Sequence, residues 1–218
     1  ILMIIVISIG GIYGGVFTPV EAATVGATLA FLFSLLRKEF TWEGFIEALL
    51  KTVSTTTMIY FIIIGASVFS PFLALTQIPS ALADGLSAIA LHPLLLLALI
   101  LVVFIFLGTF LDGFAMMVLV LPIVLPIIQQ SGIAELLGIT NGSDLVIWFG
   151  VIMVIVLEMA LISPPVGMNV FVVKSVSDAS LNEIYRGIMP FWLAMLICLI
   201  IITAFPSLSL YLPSTMRN

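Results

Sequence analysis

The residue of this chain with the most chemistry to explain is Asp112, an acid between two aliphatic runs in Gly108-Thr109-Phe110-Leu111-Asp112-Gly113. In lipid surroundings a carboxylate costs at least about 2.5–3.5 kcal/mol, and a bound cation is the simplest offset. Thr109 adds a hydroxyl oxygen, and the glycines let bare carbonyls turn inward. A hard monovalent cation takes several oxygens, including backbone carbonyls freed where helices break. The competing reading makes Asp112 the cap of the helix that follows. A second constellation is Ser163-Pro164-Pro165-Val166-Gly167-Met168-Asn169. Two prolines remove two donors and end a helix at Ser163. The carbonyls of residues 159–162 then face a cation or are met by Ser163 and Asn169. A half-helix starting after Pro165 points its positive end at the break, which suits a carboxylate. The alternative there is a simple kink. Glu158, one turn earlier, is either a second ion-linked acid or the partner of a polar group on a neighbouring helix. Thr18-Pro19-Val20-Glu21 reads as a structural turn: Thr18 as N-cap, Pro19 at the first helical position, Glu21 closing a capping box.

The rest of the chain must position these groups, and its composition says in what solvent. Of 218 residues, 63% are hydrophobic and 8% charged, with mean hydropathy +1.40. Soluble domains carry about 25% charged residues, so most of this surface faces lipid. At roughly 20 residues per span, the length fits one all-α polytopic membrane domain. The chain opens at Ile1 within an apolar run, without a signal peptide's basic region, and reads as a piece of a longer protein beginning inside a helix. A net charge of −5 with no basic patch argues against nucleic acid. One cysteine, Cys198, allows neither a disulfide framework nor a thiolate metal site.

Punctuation by Gly and Pro divides the chain. Residues 1–21 read as a helix end and turn, and 22–93 as membrane helices. Within the latter, 41–50 reads as an interfacial amphipathic helix, with Glu43 and Glu47 opposite Phe45, Ile46, Leu49 and Leu50. A span from about Thr52 stops at Ser70-Pro71, and a short helix covers Ser80 to Leu91. Residues 94–128 form two arms of about 15 residues around the Gly108–Gly113 turn. At ~1.5 Å per residue such arms are short for ~30 Å of hydrocarbon, which predicts a re-entrant hairpin. Residues 145–175 read as a discontinuous helix and 188–206 as the last span. Arg37, Lys38, Lys51, Lys174 and Arg186 flank two connections, whereas 77–92 and 129–144 lack Lys and Arg. The positive-inside rule puts the first two in the cytoplasm and the hairpin's open end outside.

Three ordered stretches resemble one family. Gly10 to Ala23 (GGIYGGVFTPVEAA), Leu107 to Ala115 (LGTFLDGFA) with Leu121 to Pro126 (LPIVLP), and Ser163 to Val172 (SPPVGMNVFV) are similar to signatures of the large membrane subunit of tripartite ATP-independent periplasmic (TRAP) transporters. Pro190-Phe191 and Phe205-Pro206 also fit, and the likeness spans essentially the whole chain. The family pattern has Thr where Val20 and Ser163 stand; Ser163 keeps the hydroxyl. The resemblance implies an elevator-type carrier repeat in the C-terminal half of that subunit, in a bacterial inner membrane. It implies import of an organic acid, such as a dicarboxylate or sialic acid, driven by Na+ with no prosthetic group. The implied partners are a periplasmic binding protein, a small membrane subunit (separate or fused), the N-terminal half of the same subunit, and lipid. It implies a sodium site at Gly108, Thr109 and Asp112 with Ile162, Ser163 and Gly167, and substrate contacts from Ser163, Pro164, Pro165, Val166 and Asn169.

The alternatives differ in class. A two-repeat sodium–dicarboxylate carrier would share the hairpin and the break but work without a binding protein. A structural membrane subunit would leave both breaks inert. An intramembrane hydrolase needs paired carboxylates or a Ser–His pair; Asp112 and Glu158 are a poor pair, and His92, the single histidine, stands beside Pro93. No catalytic residue is expected.

Overall fold

The computed structural model describes residues 2–88, 91–164, 166–175, 177 and 179–215. Among these the chain is helical, with eleven helices and no strand. Five are long and apolar enough to cross a membrane: Pro19–Leu36, Trp42–Thr76, Gly113–Gln130, Gly142–Leu161 and Leu181–Ala204. The chain divides into two compact units, residues 1–58 with 212–218, and residues 59–211.

In the first unit, α1 (Leu2–Tyr13) leads through Gly15, at φ +68°, to α2 (Pro19–Leu36). Thr18 caps α2. Its Oγ1 accepts the Glu21 N–H at 3.3 Å, and Glu21 Oε2 accepts the Thr18 N–H at 2.8 Å. Two of the helix's otherwise unpaired donors are thus satisfied reciprocally. Thr18→Ala is expected to cost about 1 kcal/mol of stability, read as faster amide exchange in the first turn of α2 with exchange beyond it unchanged.

The expected interfacial helix over 41–50 and the span from Thr52 to Phe69 are one helix, α3 (Trp42–Thr76), and the stop at Ser70-Pro71 is absent. The physical reason lies in the hydroxyls. Thr52 Oγ1 and Ser67 Oγ donate to the carbonyls four residues earlier, Ala48 at 2.8 Å and Ile63 at 2.7 Å, so the polar side chains are absorbed by the helix itself. Pro71 removes one ladder donor, which apolar helices tolerate. The division between the two units falls within α3.

The second unit contains α4 (Ile78–Ala88), α5 (Pro93–Gly108), α6 (Gly113–Gln130), α7 (Ile133–Leu137), α8 (Gly142–Leu161), α9 (Met168–Ser175) and α10 (Leu181–Ala204); α11 (Ser207–Thr215) follows. Its core is α8 against α5. Trp148, Phe149, Ile152, Met153 and Val156 of α8 meet Leu97, Ile100, Leu101 and Phe104 of α5, and Met116 and Ile128 of α6 complete it. These are large apolar side chains at helical spacing, and in a lipid surrounding close van der Waals packing between the helices, rather than removal from water, holds them together. Met116, Met153 and Met159 are buried packing residues. His92 caps α5 through Nδ1, which accepts the Leu94 N–H at 3.3 Å.

α5 and α6 pack as a hairpin joined by residues 109–112. α5, with 16 residues, is about 24 Å long at ~1.5 Å per residue. It falls short of a span, whereas α6 with 18 residues reaches one. α8 and α9 are separated by residues 162–167, the expected discontinuity.

The last span starts earlier than Ile188. α10 begins at Leu181, where Ser180 and Glu183 form a second capping box. Ser-x-x-Glu before an apolar run is a helix-start signal, and it draws Tyr185 and Arg186 into the helix.

Candidate functional site

The hairpin tip lies against the end of α8, directly before the break. Gly108 makes that approach possible. A Cβ on Gly108 would stand 2.7 Å from the Ala160 Cβ and 3.1 Å from the Met116 Cε. Ala160 is three residues from Ser163, and Gly113 at the other side of the tip lies 3.9 Å from a Leu157 methyl on the same scale. Two constellations that are 50 residues apart in sequence thus meet across one helix contact.

Within the tip, Thr109 is buried, and its hydroxyl donates to the Phe106 carbonyl at 2.8 Å. Asp112 is half-buried and is the N-cap of α6: Oδ1 accepts from the N–H groups of Phe114 at 3.0 Å and Ala115 at 3.3 Å. The cap is therefore real. It uses one carboxylate oxygen, and no donor among the described residues meets the other, Oδ2.

At the break, Ser163 is buried and its hydroxyl donates to the Met159 carbonyl at 2.7 Å. The Ser163 N–H meets Ala160's carbonyl at 3.0 Å, replacing the donor that Pro164 lacks. No donor among the described residues meets the carbonyls of Leu161 and Ile162, whose helical partners would be residues 165 and 166. Gly167 turns the chain into α9 at φ +54°, and a Cβ there would come 3.0 Å from the Ser163 carbonyl. Pro164 and Asn169 are exposed and Val166 is half-buried. The Asn169 side chain makes no hydrogen bond among the described residues, so it does not serve the freed carbonyls. Pro165, a sequence-derived substrate contact, lies outside the described residues. Glu158 is on the exposed face of α8, away from the core.

Two residues that sequence reasoning missed reach the break from α10. Trp192 Nε1 donates to the Ser163 hydroxyl at 2.8 Å, and Tyr185 Oη donates to the Val166 carbonyl at 3.1 Å. With Ile105, Pro164 and Met189 they line a cavity of about 270 Å³ beside Ser163. Their signal was available: an indole and a phenol in an apolar helix each need a hydrogen-bond partner.

The family described as "Tripartite ATP-independent periplasmic transporter, DctM component" matches residues 1–208. The chain belongs to the DctM family.

Its relatives carry the same stamp. The DctM-family chain is 36% identical over 209 residues to the sialic acid TRAP transporter large permease protein SiaM of Vibrio cholerae, covering 95% of this chain and 46% of SiaM. It is 35% identical over 214 residues to the C4-dicarboxylate TRAP transporter large permease protein DctM of Pseudomonas aeruginosa, covering 98% and 48%. It is 28% identical over 211 residues to the isethionate TRAP transporter permease protein DctMQ of Oleidesulfovibrio alaskensis, covering 96% and 32%. The chain spans about half the length of the first two. All three relatives are named as permeases.

Proposed function

We propose that the complete permease containing this chain imports an organic acid across a bacterial inner membrane, coupled to a sodium gradient. Its substrate arrives on a periplasmic binding protein, and a small membrane subunit accompanies it. The relative named DctMQ is covered only to 32%, against 46% and 48% for SiaM and DctM, so it carries additional chain, which suits a fused small subunit. Elevator movement of the hairpin and broken helix together is part of the same reading.

The observation that carries the proposal is the seating of the hairpin tip at the break. It brings a tip that bears the Thr109 hydroxyl and the Asp112 carboxylate onto the helix end that bears the Ser163 hydroxyl and the Leu161 and Ile162 carbonyls, with the Met116 thioether packed beside Gly108. Hard oxygens suit an alkali cation. Sodium bound there would supply the charge that offsets Asp112 and would make the tip's seating depend on the ion. The chain's own part is to free carbonyls at the prolines, hold the hydroxyls, and point the start of α9 at the break, where an anionic substrate is favoured. Ser163, Pro164, Val166 and Asn169 form the substrate-facing side; Gly108, Thr109, Asp112, Ile162, Ser163 and Gly167 form the ion side. Sialic acid, C4-dicarboxylates and isethionate, named for the relatives, define the first panel.

The test is uptake by the complete permease in vesicles, with its binding protein, against that panel under sodium or choline gradients. Uptake of at least one acid that needs both sodium and the binding protein is expected. Sodium-driven uptake that persists without the binding protein would replace this reading by that of a self-sufficient carrier.

A further inference from the structure

Two hydrogen bonds from α10 end on the two sides of the proline pair. Trp192 reaches Ser163, before it, and Tyr185 reaches Val166, after it. The donors are seven residues apart, two turns of one helix, and therefore share a face. Ile162 and Ser163 still bond back to Met159 and Ala160, and among the described residues no backbone donor meets the Val166 carbonyl, which Tyr185 meets instead. The chemistry at Ser163 is directional. An indole N–H only donates, and a hydroxyl holds one proton and two acceptor lone pairs. With Trp192 donating into Ser163, the hydroxyl proton must leave in another direction, and it does, onto the Met159 carbonyl at 2.7 Å. One lone pair remains, and its direction is set.

We infer that Trp192 and Tyr185 are positioning residues of the break: Trp192 orients the Ser163 hydroxyl as an acceptor for a cation, and Tyr185 fixes the Val166 carbonyl. The inference rests on the sodium reading of the site. Neither side chain touches the ion. Their effect is to present the oxygens of the break already arranged, so that binding does not have to order them.

The experiment uses the complete permease and two conservative variants. Trp192→Phe keeps a ring and removes the N–H; Tyr185→Phe removes only the hydroxyl. Amide exchange is followed at residues 166–168 during titration with sodium chloride against choline chloride. In the unaltered protein, sodium is expected to slow exchange there, and the absence of any sodium effect would overturn the inference. Each variant is expected to exchange faster without sodium and to need roughly two- to tenfold more sodium for the same protection, the range of one neutral hydrogen bond lost. Exchange within residues 145–157 stays unchanged, which shows that the fold is intact. Exchange and sodium midpoint equal to the unaltered protein in both variants would overturn the inference. So would faster exchange with an unmoved sodium midpoint, which is a merely structural role. Parallel uptake separates the two proposals: sodium protection without uptake of any acid leaves the positioning role standing and sinks the transport reading.

Discussion

Gly108→Ala is expected to stop most uptake by the complete permease, and adding Ala160→Gly to restore it. This is the largest effect expected of a single methyl group in this protein. The new Cβ would lie 2.7 Å from Ala160's Cβ and 3.1 Å from Met116's Cε. Met116 is a flexible side chain and turns aside. Ala160 is fixed to the backbone of α8, in the most buried helix of the unit, and gives way only if the hairpin tip lifts. Overpacking of this kind costs about 1–3 kcal/mol. A tip lifted from the break carries Thr109 and Asp112 away from the freed carbonyls, so uptake is expected to fall by roughly tenfold or more, each factor of ten corresponding to ~1.4 kcal/mol. Thermal unfolding of the purified permease reads the stability loss and vesicle uptake reads the function. Removing the Ala160 methyl opens the space again. A double variant as impaired as Gly108→Ala would show that the contact is not what seats the tip.

Asp112→Asn and Asp112→Ala separate the two roles of one carboxylate. The structure shows the cap: Oδ1 accepts from Phe114 and Ala115. Asparagine caps as well as aspartate does, whereas alanine costs about 0.5–2 kcal/mol. Asn therefore keeps the start of α6 and removes the charge. With a cation held near Asp112, the sodium needed for half-maximal uptake rises by about tenfold or more in Asp112→Asn, while the unfolding temperature is kept. Asp112→Ala loses both. Sodium dependence unchanged in Asp112→Asn would reduce the residue to its cap and sink the cation assignment.

Much of this site could be read from local chemistry. Proline and glycine remove donors or admit unusual backbone at fixed positions, so the tip at Gly108–Gly113 and the break at Ser163–Gly167 stood out in an apolar background. The Thr18 turn was legible for the same reason. Where hydroxyls and prolines sit inside α3, the same reading failed, because Thr52 and Ser67 return their protons to their own helix and a single proline does not end it. The start of α10 was legible in Ser180 and Glu183 and was overlooked among the polar residues before Gly187. What no local pattern encodes is which helices meet. That Gly108 lies on Ala160, and that Trp192 reaches Ser163 across 29 residues, follow from packing that joins distant parts of the chain.

The third long-range bond of α10 has a consequence of its own. Trp148, near the start of α8, donates its Nε1 proton to the Ile202 carbonyl at 3.1 Å. Together with Trp192 and Tyr185, this ties α10 to α8 near its beginning, to the break at Ser163, and to Val166 beyond the prolines. A helix interrupted by two prolines would ordinarily be a hinge, because tension along it has no backbone path across the gap. Here that path runs through α10, which lies alongside as a splint. α10 itself carries Pro190 between Tyr185 and Trp192, so what bridges the gap left by the proline pair is this set of side-chain bonds rather than an unbroken backbone ladder.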